Sequence, residues 1–335
     1  MKEIESEFIF ALTNVGSERA LKAEADKMKL GWRPSYQHKG FVTFKAPSDE
    51  AFFSLASLDL PLACCRRLCL SLGQVSTREE AEMKIRQHPT YLGGAIHHVR
   101  FANRTMQSEP LEDFKRPESG ECIGTVVEVG PEEFWVGLHL HAPFLSPYPG
   151  GDSSLVMPAD SPSRAWLKLE EAVRFFNLDL SVKDIVVELG CAPGGVVLAL
   201  LRRGVSVVGV DPAEMAEVVM ESATFDRRLI PIGEPWFFHC RKPAALASKR
   251  DVGKGVTWFM SDMNQSPDVV LKECARFCAM ARTIRGVLIT LKLTDLMQVK
   301  QKQKWFKELT DIGFKTVRLQ QLSVHHKEFA LLALM

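Results

Sequence analysis

The sequence predicts an α/β protein in which a doubly wound, mostly parallel sheet fills the C-terminal half and small α+β units precede it. Residues 185–189 are a short apolar run rich in β-branched side chains, followed by a Gly-rich stretch, a helical pattern over 196–203 and a second buried strand over 205–210. That is a βαβ unit, and βαβ units build parallel sheets. From Ser163 onward helical and strand patterns alternate, whereas the chain opens with short elements in the series strand, helix, strand, helix.

Residues 8–12 predict the first strand. Residues 17–30 have helical periodicity, with Ala20, Leu21, Ala25 and Met28 on one face and Gly31 at the end. Residues 40–44 predict a second strand and 47–58 a second helix. This opening, residues 1–75, predicts a ferredoxin-like α+β domain. Residues 76–142 predict a second small unit: a helix near 78–87, a strand at 97–101, and strands at 124–129 and 134–139 joined as a hairpin through Gly130, Pro131, Glu132 and Glu133. Residues 143–162, rich in Pro, Gly, Ser and Asp, predict a linker into a domain spanning 163–335. In that domain further strands are expected at 257–260 and 286–291, a helix at 296–310, and two closing strands at 314–319 and 329–334.

Lys+Arg number 42 and Asp+Glu 41, so net charge points to no polyanionic partner, and any nucleic-acid surface must come from local clustering. No apolar run is long enough to cross a bilayer, and the acidic start Met1-Lys2-Glu3-Ile4-Glu5 lacks a signal-peptide pattern. A cytoplasmic protein without a membrane partner is expected, its 8 Cys reduced and buried. Cys64, Cys65 and Cys69 cluster, and Cys274 and Cys278 lie one helical turn apart. Neither group has paired CxxC spacing, so both are expected to pack inside helices and no metal is expected.

The first strand of the C-terminal domain ends in Glu188-Leu189-Gly190-Cys191-Ala192-Pro193-Gly194-Gly195. Glycines there let the backbone turn tightly and approach a ligand at the carboxyl end of the strand, and the following helix start exposes N–H groups suited to a carboxylate. The dinucleotide pattern GxGxxG is broken by Ala192, which disfavours a dehydrogenase. The next strand ends at Asp211, placed to accept hydrogen bonds from two ribose hydroxyls.

The ELGCAPGG stretch resembles motif I of the S-adenosylmethionine-dependent methyltransferases, specifically the FtsJ-like group that methylates ribose 2′-hydroxyls. The segment Pro158-Ala159-Asp160-Ser161-Pro162-Ser163-Arg164-Ala165-Trp166-Leu167-Lys168-Leu169-Glu170-Glu171-Ala172 closely resembles the one before motif I in the RlmM branch, which acts on a cytidine of large-subunit ribosomal RNA. Ser261-Asp262-Met263-Asn264, Leu291-Lys292-Leu293 and His325-His326-Lys327-Glu328 resemble later motifs of that branch, in the same order. The resemblance implies a Rossmann-like methyltransferase domain, preceded by ferredoxin-like and THUMP-like RNA-binding units. It implies S-adenosyl-L-methionine as cofactor, held by Glu188, Gly190, Cys191, Ala192, Pro193, Gly194, Gly195, Asp211 and Asp262, and it implies a catalytic tetrad of Lys168, Asp262, Lys292 and Glu328. The family usually carries an acidic residue after the third strand, near the adenine. The matching stretch here is Trp236-Phe237-Phe238-His239-Cys240-Arg241, which leaves that contact unassigned.

These residue types suit the chemistry. A ribose 2′-hydroxyl is almost wholly protonated near neutral pH, so the site must take its proton and align it for attack. A lysine does this only when neutral; a second lysine favours that form, and acidic partners orient the amine. Lys292 interrupts the apolar stretch 287–293 and is the expected base, with Asp262 orienting it and Lys168 and Glu328 placing the ribose.

Arg227, Arg228, Arg241, Lys242, Lys249, Arg250 and Lys254 cluster along the chain with Trp236, Phe237 and Phe238 interleaved, a composition suited to single-stranded RNA. Two other readings stay open here: the same reaction on transfer RNA or a messenger cap, and a non-catalytic RNA-binding protein with a vestigial pocket. No DNA partner is expected, and the sequence does not specify an oligomeric state.

Overall fold

The computed structural model describes residues 5–48, 51–102, 105–109, 114–142, 145–222 and 234–335. Contacts divide the chain into two units: 1–154 with 320–326, and 155–319 with 327–335.

The N-terminal unit contains β1 (Glu5–Ser6), β2 (Phe8–Leu12), α1 (Glu18–Lys27), β3 (Arg33–His38), β4 (Phe41–Lys45), β5 (Phe53–Ser54), β6 (Arg67–Val75), α2 (Arg78–Arg86), β7 (Ile96–Ala102), β8 (Thr105–Ser108), β9 (Cys122–Gly130) and β10 (Glu133–Leu140). β1 and β5 pair with each other; the rest form one sheet in the order β3-β4-β2-β6-β10-β9-β7-β8. β7 and β9 run parallel and every other neighbouring pair runs antiparallel. The series β2-α1-β3-β4, a 3-10 turn at Leu55–Leu58, then β6 is that of a ferredoxin-like unit whose second helix has shrunk to one turn. Of the helix expected over 47–58, residues 49–50 lie outside the described residues, and residues 53–58 form β5 and this turn instead. Ser57 donates to the Ser54 carbonyl at 2.7 Å and accepts from its N–H at 3.1 Å, a local alternative to helical bonding.

Strand β6 was not among the expected elements. It pairs with β2 on one side and β10 on the other, so residues on both sides of position 75 share one sheet. Leu68, Cys69 and Leu70 are all buried, because a central strand is covered on both faces and loses its alternation. Cys69 thus sits in a strand, and Cys64 and Cys65 in the turn before it, not in a helix; Cys274 and Cys278 do lie in a helix. Arg67 opens β6 fully buried. Its guanidinium contacts His139 Nε2 at 2.7 Å and donates to the carbonyls of Ser146 at 2.6 Å and Tyr148 at 2.9 Å. His97, His139 and His141 are buried with it.

The C-terminal unit contains α3 (Ala165–Phe176), β11 (Ile185–Leu189), α4 (Gly195–Arg202), β12 (Ser206–Val210), α5 (Glu217–Glu221), β13 (Phe237–Cys240), α6 (Lys249–Val252), β14 (Trp258–Ser261), α7 (Pro267–Met280), β15 (Gly286–Lys292), α8 (Lys302–Ile312), β16 (Thr316–Gln320) and β17 (Glu328–Leu334). Its strand order is β13-β12-β11-β14-β15-β17-β16, parallel from β13 through β15, with β17 antiparallel to β15. This is the doubly wound, Rossmann-like sheet that the βαβ pattern implied. The order runs outward from β11 to β13 and then resumes on the other side with β14. The carboxyl ends of β11 and β14 therefore flank the switch point where such sheets bind ligands. The helix expected over 296–310 begins as a 3-10 segment, Leu296–Gln301, before α8, whose Trp305 and Leu309 face inward.

Candidate active site

β11 leads directly into the Gly-rich turn. Gly190 has φ 75° and Gly194 φ 114°, both left-handed. A Cβ on Gly190 would lie 2.8 Å from Met263 Cγ, and one on Gly194 2.6 Å from Val219 Cγ2. Close protein packing thus demands these glycines in addition to any ligand approach. A Cβ on Gly195 would meet the Ser163 hydroxyl and lie 3.0 Å from the Trp166 amide nitrogen. The starts of α3 and α4 are therefore pressed together.

Ser163 Oγ, Trp166 Nε1 and Glu188 Oε2 are buried without a hydrogen-bond partner among the described residues. Buried polar atoms are normally satisfied, so each is a candidate to meet a ligand or a water. Ser163 was not among the expected site residues; its place in the segment before α3 was the available signal. Glu188 is 1% exposed at the end of β11. Burial, and then the charges of Asp262 and Asp211, push its carboxyl well above the usual range.

Asp211 follows β12. Its carboxylate accepts from the Ala192 N–H at 3.2 Å and the Ala213 N–H at 2.9 Å. Four lone-pair positions leave room for two further donors. Cys191 is buried, with its sulfur 3.8 Å from that of Met215. On β13, the His239 ring contacts the Asp211 carbonyl at 2.9 Å, and no acidic side chain occupies residues 236–241.

Beside this turn the structure brings Lys168, Asp262, Lys292 and Glu328 together from four elements. Lys168 lies on α3, Asp262 directly after β14, Lys292 at the end of β15, and Glu328 at the start of β17. Lys292 and Glu328 are register partners across the antiparallel pair. Lys168 Nζ donates to both Asp262 carboxylate oxygens at 3.1 and 3.2 Å and to Glu328 Oε1 at 2.9 Å. Lys292 Nζ donates to the Asp262 carbonyl at 2.7 Å and lies 3.3 Å from its Oδ1. The four side chains are 13–23% exposed, reachable from solvent but mostly desolvated. Asp262 is the hub, with one lysine on each side.

The basic residues are arranged less simply. Arg241 pairs with Glu214 at 3.0 Å and Lys242 with Asp251 at 2.8 Å, while Lys249 and Arg250 are exposed on α6. Arg227 and Arg228 lie outside the described residues. Among the interleaved aromatics, Phe237 is buried in the sheet and Phe238 is exposed, as alternation along β13 requires. Phe237 is therefore core and unavailable for stacking on a base.

A doubly wound sheet with a Gly-rich switch-point turn, an acidic residue ending the second strand and a Lys-Asp-Lys-Glu cluster has the architecture of a methyltransferase domain. Residues 162–316 match the family model described as FtsJ-like methyltransferase. Among curated relatives, Ribosomal RNA large subunit methyltransferase M of Azoarcus sp. (strain BH72) is 30% identical over 193 residues, covering 55% of this chain and 48% of that protein. The protein of the same name from Shewanella sp. (strain ANA-3) is 28% identical over 225 residues, covering 64% and 56%. That from Shewanella sediminis is 43% identical over 83 residues, covering 23% of each. The chain thus spans about half the length of the first relatives it matches. The resemblance to the FtsJ-like family and its RlmM branch, read from the motifs, is borne out.

Proposed function

We propose that this protein transfers a methyl group from S-adenosylmethionine to a ribose 2′-hydroxyl of RNA, with a cytidine of large-subunit ribosomal RNA as substrate and the cytoplasm as its compartment. The observation that carries the reading is the convergence of Lys168, Asp262, Lys292 and Glu328 beside the Gly-rich turn. The printed names of the relatives favour the ribosomal substrate.

The residues present fit the cofactor. Ser163 Oγ and the first N–H groups of α4 suit a carboxylate, Asp211 suits the ribose hydroxyls, and the buried carboxyl of Glu188 has an unmet hydrogen-bonding oxygen. S-adenosylmethionine supplies an electrophilic methyl group on a sulfonium. The chain supplies alignment and the proton acceptor. Lys292, when neutral, takes the 2′-hydroxyl proton on Nζ. The Asp262 carbonyl fixes that amine, and the Asp262 carboxylate stabilises the ammonium that forms. Lys168, held by Asp262 and Glu328, adds donors that orient the ribose. Residues 1–75 and 76–142 would serve as ferredoxin-like and THUMP-like modules on the RNA, with Arg227, Arg228, Arg241, Lys242, Lys249 and Arg250 contacting phosphates.

Transfer of tritiated methyl from the cofactor onto purified RNAs, followed by nuclease mapping, tests this. Label in large-subunit ribosomal RNA, within a linkage resistant to 2′-OH-dependent cleavage, is the expected result. Label on transfer RNA or a cap alone would replace the substrate, and label on a base would overturn the reaction.

A further inference from the structure

The segment 320–326 between β16 and β17 belongs, by its contacts, to the N-terminal unit, although both strands lie in the C-terminal sheet. Side-chain and backbone bonds within the N-terminal unit hold it. Asn14, 9% exposed after β2, donates through Nδ2 to the carbonyls of Leu322 at 2.8 Å and His325 at 2.7 Å. Its Oδ1 accepts from Arg66 Nη1 at 3.3 Å. The Gln321 N–H donates to the Ala63 carbonyl at 2.8 Å, and Gln320 Nε2 to the Cys65 carbonyl at 2.9 Å. A turn closes between them, with the His325 N–H donating to the Leu322 carbonyl at 3.1 Å.

Two residues after His325, the chain does two things. The Lys327 carbonyl accepts from the Leu293 N–H at 2.8 Å, and Glu328 enters register with Lys292 and takes the Lys168 amine. Three peptide links span at most about 11 Å, so little slack separates the Asn14-bound carbonyl of His325 from Glu328. A single buried amide thus fixes both carbonyls of the turn that delivers Glu328.

We infer that Asn14 is a positioning residue for Glu328: it acts through the backbone of 322–327 and makes the placement of the Lys168–Glu328 pair depend on the N-terminal unit. This rests on the proposed reaction for its effect on rate, but the clamp itself is testable without activity. Two losses follow from removing the two donors. The turn loosens, and the Glu328 carboxylate loses its set position relative to Lys168.

The test uses the full chain carrying Asn14→Asp, which is near-isosteric but presents acceptors to two carbonyls, and Asn14→Ala, which avoids that repulsion. Amide hydrogen exchange over 321–328 and tryptic cleavage after Lys327 should both accelerate at least several-fold in either variant, with exchange in β11 and β14 unchanged. Single-turnover methyl transfer should fall about ten- to a hundredfold, the usual cost of a small misplacement near a reacting centre, with cofactor affinity unchanged. In a Glu328→Ala background Asn14→Ala should cost nothing further, because both act through one carboxylate. Unchanged exchange at 321–328 in a folded Asn14→Ala protein would overturn the clamp. Rate losses that multiply with Glu328→Ala would overturn the route through Glu328. A wild-type protein that methylates no RNA would sink the proposed reaction instead, leaving exchange and cleavage to decide the clamp.

Discussion

Replacement of Lys292 gives the sharpest reading of the proposed chemistry. Its amine meets Asp262 twice, at 2.7 Å to the carbonyl and 3.3 Å to Oδ1. Removal of the side chain in Lys292→Ala leaves Asp262 still held by Lys168 at 3.1 and 3.2 Å, so the site should not collapse. The Gly-rich turn and Asp211 are untouched, and cofactor affinity should change by less than about threefold, within ordinary context scatter. The rate should not survive. A lost general base costs about a hundredfold or more, which is roughly 2.7 kcal/mol or more of transition-state stabilisation. Lys292→Arg keeps the charge and the reach to Asp262, yet should fail equally, since a guanidinium cannot accept the proton in this range. The assay is single-turnover transfer at saturating cofactor, so that product release cannot mask the chemical step. A Lys292→Arg protein with a near wild-type single-turnover rate would refute the base assignment and leave Lys292 as an electrostatic clamp.

Three further outcomes are expected. S-adenosylmethionine should raise the melting temperature of the wild type by mass action, and Asp211→Ala should weaken that shift while NAD gives none; a shift with NAD alone would contradict the cofactor assignment. Burial, and then the Arg67 charge, holds His97 and His139 well below the usual range and lowers His141 to about 4. The unfolded chain therefore binds these protons near pH 6.5 while the folded unit does not. Stability should be full above that pH and fall toward pH 4 by up to about 1.4 kcal/mol per unit for each proton taken up, so a urea midpoint equal at pH 7.5 and 5 would contradict the cluster. Replacing Lys249 and Arg250 together by Glu should weaken RNA binding and lower its salt dependence without altering the cofactor-induced melting shift, and an unchanged salt slope would remove α6 from the RNA surface.

The C-terminal domain was legible in the sequence because parallel strands buried on both faces write themselves as short apolar runs such as Val186-Val187 and Val207-Val208, and because its functional groups cluster at strand ends. Lys292 stood out for that reason: a charge closing an apolar run needs an explanation, and the register of β15 with β17 supplies Glu328 as part of it. The N-terminal unit was less legible. β6 carries buried side chains on both faces with a buried Arg67 at its start, so neither alternation nor polarity marked it. β3, with Arg33, Pro34, Ser35, Gln37 and His38, is a polar edge strand whose partner on β4 specifies it better than its own composition. The short segment 53–58 has apolar residues at spacings that fit a helix, but Ser54 and Ser57 bond locally instead.

What the sequence could not display at all was the role of polar side chains that serve a distant backbone. Asn14 and Arg67 are ordinary residue types in ordinary places along the chain; bonding across long separations is what sets them apart. Asn14 and Leu322 lie 308 positions apart and meet through one amide. A motif reports the groups that do chemistry because their spacing is constrained by neighbouring strand ends. It does not report the groups that hold those strand ends, because their partners are carbonyls, which every residue has. The tetrad can therefore be intact in sequence while its geometry depends on a residue near the start of the chain. Truncation at the unit boundary, which leaves all four tetrad residues in place, should then cost rate even on a minimal RNA that needs no N-terminal contact. Full single-turnover activity of residues 155–335, folded by circular dichroism and binding cofactor normally, would show that β17 finds its register unaided.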